Sequence, residues 1–314
     1  MPKKILVLRD LLPEQLEDLQ EIAPDFEITQ TLNEEDFSNV EVVLGWSEQL
    51  TPLIENEDSH VKWIQYPFAG VNDLPLKLFE EKGIILTNGS GIHTYAVTET
   101  AMGLLLGMTR NIIKATRERE RQEWINEENL YELNNKTIMI VGAGKIGVHL
   151  GQVAKGFNMK TIGINRSGNK IENMDEQYVQ NELPEVIGQA DIVVNILPAT
   201  EETERLFAET LFSKMKDNVV FINVGRGETV DTEALLEALD NGKVLFAGLD
   251  VFEEEPLPKD HPLWAHEKVA MTPHVGGRVE SYPKHLYPLF KENLEAYLKG
   301  EILPQNVVKL ESGY

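Results

Sequence analysis

The sequence predicts an α/β protein built on doubly wound parallel sheets, and three observations point there. Short apolar runs rich in β-branched residues alternate with helical stretches along the chain, a rhythm that implies parallel strands joined by crossover helices. One such run, 137–141, leads into Gly142, Gly144 and Gly147, a G-x-G-x-x-G turn that opens a helix. The length, 314 residues, suits about two domains of ordinary size.

In chain order, 5–8, 41–44, 62–66 and 84–87 read as strands and 13–23 as a helix. The stretch Gln65-Tyr-Pro-Phe-Ala-Gly-Val-Asn72 follows a strand and carries Pro and Gly. As a loop at the carboxyl end of a parallel strand it either binds a ligand or simply connects. Residues 96–110 read as a buried apolar helix, with Glu99 inside it as a functional buried carboxylate or, the favoured reading, a capping or hinge contact. Residues 117–128 form a dense charge run that reads as a solvated helical face, and Trp124 within it suits docking on a partner subunit. Further strands are expected at 160–165, 192–197, 219–223, 244–249 and 269–271. A helix at 233–241 stops at Gly242, and an amphipathic one at 287–298 stops at Gly300. This second half alone holds enough units for a complete doubly wound sheet.

Each glycine of the turn has a mechanical task. Gly142 makes the tight exit from the strand, Gly144 lets a pyrophosphate approach the backbone, and Gly147 lets the helix pack closely on the sheet. Backbone N–H groups near Lys145 and Ile146 would face the phosphates. The strand at 160–165 ends about 20 residues on, where a ribose-reading residue belongs.

Three further stretches follow strands on the same sheet edge. They place Arg226 between two glycines, Glu255 at the end of Asp250-Val-Phe-Glu-Glu-Glu255, and His274 in Thr272-Pro-His-Val-Gly-Gly277. Hydride transfer to a ketone carbon needs a proton for the oxygen, and a histidine supplies one near neutral pH. A carboxylate beside it would hold the ring and favour its charged form. A planar arginine grips a substrate carboxylate or polarises its carbonyl through paired hydrogen bonds.

Composition excludes other chemistries. There is no cysteine, so disulfides, thiol catalysis and zinc–thiolate sites are ruled out and no metal is expected. A formal net charge of −23 argues against nucleic acid and anionic membranes as partners. No apolar run approaches the ~20 residues of a membrane helix, and no signal peptide precedes the first strand, so a cytoplasmic location is expected.

The chain resembles the D-isomer-specific 2-hydroxyacid dehydrogenases. The resemblance runs nearly end to end and is carried by Val141-Gly-Ala-Gly-Lys-Ile-Gly147, Ile196-Leu-Pro198 with Thr203, Asn223-Val-Gly-Arg-Gly227, Gly248-Leu-Asp-Val-Phe252 with Glu255-Pro-Leu-Pro258, His261-Pro-Leu-Trp264, and Thr272-Pro-His274 with Gly276-Gly277. It implies two Rossmann-like domains, the cofactor domain (99–285) inserted into a substrate domain (1–98 and 286–314). It implies Arg226 binding a 2-oxo acid, His274 as acid/base and Glu255 as its partner. Backbone amides around Phe68, Ala69 and Gly70 would hold the substrate carboxylate. Around the cofactor it places Gly142, Gly144, Lys145, Ile146, Gly147, Leu197, Pro198, Thr203, Val224, Gly225, Asp250 and Gly276, with Asp250 near the nicotinamide carboxamide. It also implies a homodimer, which suits Trp124.

The chain departs from the commonest pattern in two places. Asn165 stands where an NAD-selecting acid is usual, and Arg166 and Ser167 follow it. An aspartate would repel a 2′-phosphate, whereas these residues can accept one, so NADP(H) is favoured and NAD(H) stays open. Phe68 occupies a loop position where many members carry smaller residues. The expected activity is reduction of glyoxylate, hydroxypyruvate or a related 2-oxo acid. The alternatives are a phosphoglycerate dehydrogenase, which would want more basic residues in the first domain, and a corepressor-like protein that senses the dinucleotide without turnover.

Overall fold

A computed structural model of the chain describes residues 2–71, 73–126 and 130–310. Asn72, Glu127 and Glu128, named above, lie outside these residues, as does 311–314. The chain divides into two compact units, Met1–Ile92 with Val279–Tyr314, and His93–Arg278. The second unit is thus an insertion in the first along the sequence.

The first unit carries a parallel sheet of five strands: β1 (Lys3–Val7), β2 (Phe26–Thr29), β3 (Val40–Leu44), β4 (Trp63–Gln65) and β5 (Ile85–Thr87), in the order β2-β1-β3-β4-β5. Alternate residues face opposite layers. Leu6 packs with Val43, Ile64 and Phe79 on one side, while Ile5 and Val7 meet Trp63 and Phe290 on the other. The helix Tyr282–Leu298 supplies Leu286, Tyr287, Phe290 and Leu294 to that second layer. It begins five residues before the expected start, with a proline in its first turn, where a missing N–H costs nothing.

The second unit carries seven parallel strands: β6 (Thr137–Val141), β7 (Lys160–Asn165), β8 (Glu176–Val179), β9 (Ile192–Asn195), β10 (Val219–Asn223), β11 (Val244–Leu249) and β12 (Val269–Met271). Their order is β12-β11-β10-β9-β6-β7-β8, so the order reverses between β6 and β9. Met139 and Val141 face a layer with Phe207, Phe212 and Phe221, and Ile138 and Ile140 face one with Leu104, Leu105 and Leu150. The helix Thr94–Thr109 covers that second layer with Val97, Ala101, Leu104, Leu105 and Met108.

Two expectations are corrected. Glu99 is exposed, not buried, because it lies on the side of its helix opposite Ala101 and Leu105. The charge run is not one helical face: the helix Ile112–Glu120 ends before Trp124, and Gln122 takes a left-handed φ of 60° that turns the chain away. Within that helix Arg117 is not merely solvated, since its guanidinium donates to the carbonyls of Glu267 and Val269.

Candidate active site

The glycine-rich turn sits beside the strand reversal, which is where open parallel sheets bind ligands. Gly142 has a φ of 91°, and a Cβ there would lie 2.9 Å from the Ile196 backbone. At Gly147 a Cβ would come within 3.0 Å of the Ile140 side chain, so helix and sheet meet at glycine distance. At Gly144 a Cβ would meet nothing within 4 Å, which leaves open space before the helix Lys145–Gly156. The first hydrogen bond of that helix runs from Val148 N–H to the Gly144 carbonyl, so the N–H groups of its first turn, Ile146 among them, precede it. The open approach at Gly144 and the helix start fit a pyrophosphate.

After β7 no carboxylate appears before Glu172. The Asn165 side chain closes a turn instead: its Nδ2 donates to Asn169 O at 2.8 Å and its Oδ1 accepts Gly168 N–H at 2.8 Å. Ser167 Oγ accepts Asn169 N–H at 3.2 Å. Arg166 lies at the exposed tip of this turn.

The ends of β9 and β10 are joined by buried polar groups that sequence reading missed. Asn195 and Asn223 are direct register partners, and both are almost wholly buried. Asn195 Nδ2 donates to Asn223 Oδ1 (3.0 Å) and Thr229 Oγ1 (2.7 Å). Asn223 Oδ1 also accepts Gly225 N–H, and the Arg226 carbonyl accepts both Asn223 Nδ2 (3.1 Å) and Thr229 Oγ1 (2.6 Å). The network therefore fixes the backbone from Val224 to Arg226. Gly225 and Gly227 are tight positions: a Cβ would press on Leu197 O at the first and overlap the Phe252 carbonyl at the second. The Arg226 side chain is left exposed, with one N–H on its neighbour Gly225 O. Leu197 and Val224 are buried, Pro198 is exposed, and the Thr203 hydroxyl ties its own loop through Pro198 O and Thr200 N–H.

β12, β11 and β10 are neighbours, so the loops after them share one sheet edge. His274 lies in the loop after β12 at a φ of 50°. Its Nδ1 is 2.6 Å from Glu255 Oε2, and Glu255 Oε1 accepts Phe252 N–H at 2.9 Å. Asp250 is 2% exposed, and its oxygens accept Thr272 Oγ1 (2.6 Å), Val275 N–H (3.0 Å) and Gly276 N–H (2.8 Å). Its carbonyl accepts His274 N–H. The structure thus gives Asp250 the task of shaping the His274 loop. Gly276 must be small, because a Cβ would sit 2.5 Å from that carboxylate.

In the first unit Phe68, Ala69 and Gly70 are exposed. The Phe68 carbonyl accepts Gly89 N–H (2.9 Å), and the Ala69 carbonyl accepts Asn88 Nδ2 (2.8 Å). Among the described residues no acceptor meets the N–H groups of Phe68, Ala69 and Gly70. A loop pinned by its carbonyls with three free donors suits an anion.

Among the described residues no group of three His, Asp or Glu side chains could hold a metal ion. No helix there is long and apolar enough to cross a membrane.

The chain is similar to known proteins over most of its length. The family model for the NAD-binding domain of D-isomer-specific 2-hydroxyacid dehydrogenases matches residues 102–276. Glyoxylate/hydroxypyruvate reductase B of Escherichia fergusonii is 32% identical over 316 residues, covering 96% of each chain. D-3-phosphoglycerate dehydrogenase of Methanocaldococcus jannaschii is 34% identical over 316 residues, which cover 98% of this chain and 59% of that protein. The crystal structure of an NADPH-dependent glyoxylate/hydroxypyruvate reductase from Sinorhizobium meliloti, in complex with NADP and sulfate, superposes with a TM-score of 0.79 at 27% identity, over 99% of this chain and 100% of that one.

Proposed function

The chain belongs to the D-isomer-specific 2-hydroxyacid dehydrogenase family, and from that premise we propose a reductase of glyoxylate, hydroxypyruvate or a closely related 2-oxo acid that favours NADPH. The coarser activity is that of the family: an NAD(P)-dependent oxidoreductase moving a hydride between the nicotinamide and a 2-oxo or D-2-hydroxy acid. The bound dinucleotide supplies the hydride. Everything else falls to side chains and backbone of this chain.

The observation that carries the reading is the Glu255–His274 pair on the same sheet edge as the Arg226 turn. Nδ1 faces the carboxylate, so Nε2 is the ring nitrogen left to give a proton to the ketone oxygen. Arg226, set by the buried asparagines, grips the carboxylate and carbonyl of the 2-oxo acid. The free N–H groups of Phe68, Ala69 and Gly70 suit a carboxylate. The preference for NADPH rests on the acid-free turn at Asn165, Arg166 and Ser167. A cytoplasmic homodimer completes the proposal, supported by Trp124 at 97% exposure and the exposed Ile125 beside it.

The test is steady-state oxidation of NADPH and NADH with glyoxylate, hydroxypyruvate, pyruvate and 3-phosphooxypyruvate. Turnover of the first two with NADPH supports the reading. Preference for the phosphorylated acid would replace it with a phosphoglycerate dehydrogenase. Tight cofactor binding without turnover would replace it with a sensing protein.

A further inference from the structure

The parallel sheet of the first unit also has a reversal, between β1 and β3 in the order β2-β1-β3-β4-β5. That switch point, at the carboxyl ends of the strands, is where such a sheet binds ligands. Arg9 stands there. Leu8 N–H donates to Leu44 O and Gly45 N–H to Gln65 O, so the ladder continues to the residue before Arg9. Gly45 leaves room for the arginine stem: its φ is 114°, and a Cβ on it would lie 3.3 Å from Arg9 Cγ.

The guanidinium carbon lies 5.2 Å from the centre of the Phe68 ring, in the loop that presents the three free N–H groups. Tyr66 and Tyr282 meet the same ring edge-on, with centroids 5.5 and 6.0 Å away. Burial raises both phenols, Tyr282 to about 12, and the Arg9 charge opposes the shift in each, so Arg9 acts on both hydroxyls. Its Nε is shielded from water and has no acceptor. Among the described residues no carboxylate pairs with Arg9, in a chain with 52 acidic against 29 basic side chains. A stacked guanidinium keeps its N–H edge for an acceptor in its own plane. Buried donors without a partner are costly, so a ligand that supplies one gains by it.

We propose that Arg9 reads the substituent on carbon 3 of the substrate, selecting 2-oxo acids that carry an acceptor oxygen there over alkyl ones of equal size. The proposal rests on the reductase reading above and deepens it. Arg9 packs on the Phe68 side chain and not on the backbone N–H groups assigned to the carboxylate, so it is assigned the rest of the ligand.

Hydroxypyruvate and 2-oxobutyrate differ at carbon 3 by a hydroxyl against a methyl and are close in volume, so they form the test pair. With saturating NADPH, the wild type favours hydroxypyruvate in kcat/KM by about tenfold or more. Arg9→Met lowers kcat/KM for hydroxypyruvate about tenfold to a hundredfold, chiefly through KM, and moves 2-oxobutyrate by less than about threefold. Arg9→Lys keeps the charge without the planar fork and restores part of the preference. If Arg9→Met does not fold, as judged by its melt and by cofactor binding, Arg9→Lys decides by the same ratio. Equal losses on both substrates, or an unchanged ratio, would overturn the proposal and leave the reductase reading standing. A wild type that turns over neither acid would overturn both.

Discussion

Nδ1 of His274 lies 2.6 Å from Oε2 of Glu255, and the second carboxylate oxygen is held by Phe252 N–H. The carboxylate is therefore anchored before it meets the ring, and the ring's orientation follows. His274→Gln removes the proton donor and should lower kcat by about 10²- to 10⁴-fold. Glu255→Gln keeps the shape and loses the charge, so its loss should be smaller. Cofactor affinity, measured by fluorescence titration, should stay near wild type in both. Undiminished turnover in His274→Gln would remove His274 from its assigned role.

The backbone of Arg226 is held from below by groups that never reach its guanidinium. Thr229→Val deletes a fully buried hydroxyl that bonds the Arg226 carbonyl and Asn195. The Asn195 N–H left without an acceptor, and the Arg226 carbonyl left with Asn223 alone, should cost about 1–3 kcal/mol in urea unfolding. KM for the 2-oxo acid should rise with the displaced arginine. Thr229→Ser, which keeps the hydroxyl, should recover both properties.

This network shows what could and could not be read from sequence. The strands β6, β7, β10 and β11 are legible to the residue, because interior parallel strands are buried on both faces and leave apolar runs, and β12, an edge strand, is legible because its three residues are all apolar. β2 and β8 pass unnoticed: Phe26-Glu-Ile-Thr29 and Glu176-Gln-Tyr-Val179 are edge strands, half polar because one side meets solvent. Gly142, Gly144, Gly147, Glu255 and His274 are legible through motif and spacing. Asn195, Asn223 and Thr229 are not, since a polar residue at a strand end looks like surface until the register pairs it with another. Arg9 is hidden for a similar reason: only the strand order places it at the switch point between β1 and β3.

Cofactor choice is testable at one position. Asn165→Asp restores a carboxylate after β7, which would accept ribose hydroxyls and repel a 2′-phosphate. The NADPH-to-NADH ratio of kcat/KM should fall about tenfold to a hundredfold. The variant also loses the donor to Asn169 O while keeping the acceptor for Gly168 N–H, so the turn should loosen without being lost. A ratio unchanged by the added charge would mean that this turn does not face the 2′ position.

Acid sensitivity should reside partly in Glu41, far in sequence from Glu255 and His274. Burial alone would raise its pKa, but hydrogen bonds from Lys3 and Tyr297, together with the charge of Lys62, outweigh it and hold the carboxyl below its ordinary value. A depressed folded value stabilises above the unfolded pKa of about 4.3 and loses that contribution as the pH falls through the folded one. Glu41→Gln should therefore lower Tm at pH 7 and flatten the fall in Tm below about pH 4.3. Parallel Tm–pH curves for wild type and variant would contradict this.

The family pattern sets Asp250 near the nicotinamide carboxamide, whereas the structure bonds its carboxylate to the loop of His274. If its carboxylate chiefly holds the cofactor, Asp250→Asn should raise the cofactor KM. The geometry argues for the other role, because all three of its bonded donors belong to the 272–276 loop. An asparagine must place its amide nitrogen at one of two oxygen positions. At Oδ2 it would face Gly276 N–H, and at Oδ1 it would face Val275 N–H, so either rotamer sets donor against donor. The Thr272 hydroxyl can rotate to accept, but a backbone N–H cannot. One buried N–H is left unsatisfied in both cases, at a cost of about 1–3 kcal/mol. The loop relaxes by moving His274, whose own N–H rests on the Asp250 carbonyl. The expected result is a fall in kcat of about tenfold to a hundredfold with the cofactor KM nearly unchanged. The reverse pattern, an intact kcat with a raised cofactor KM, would return Asp250 to the nicotinamide.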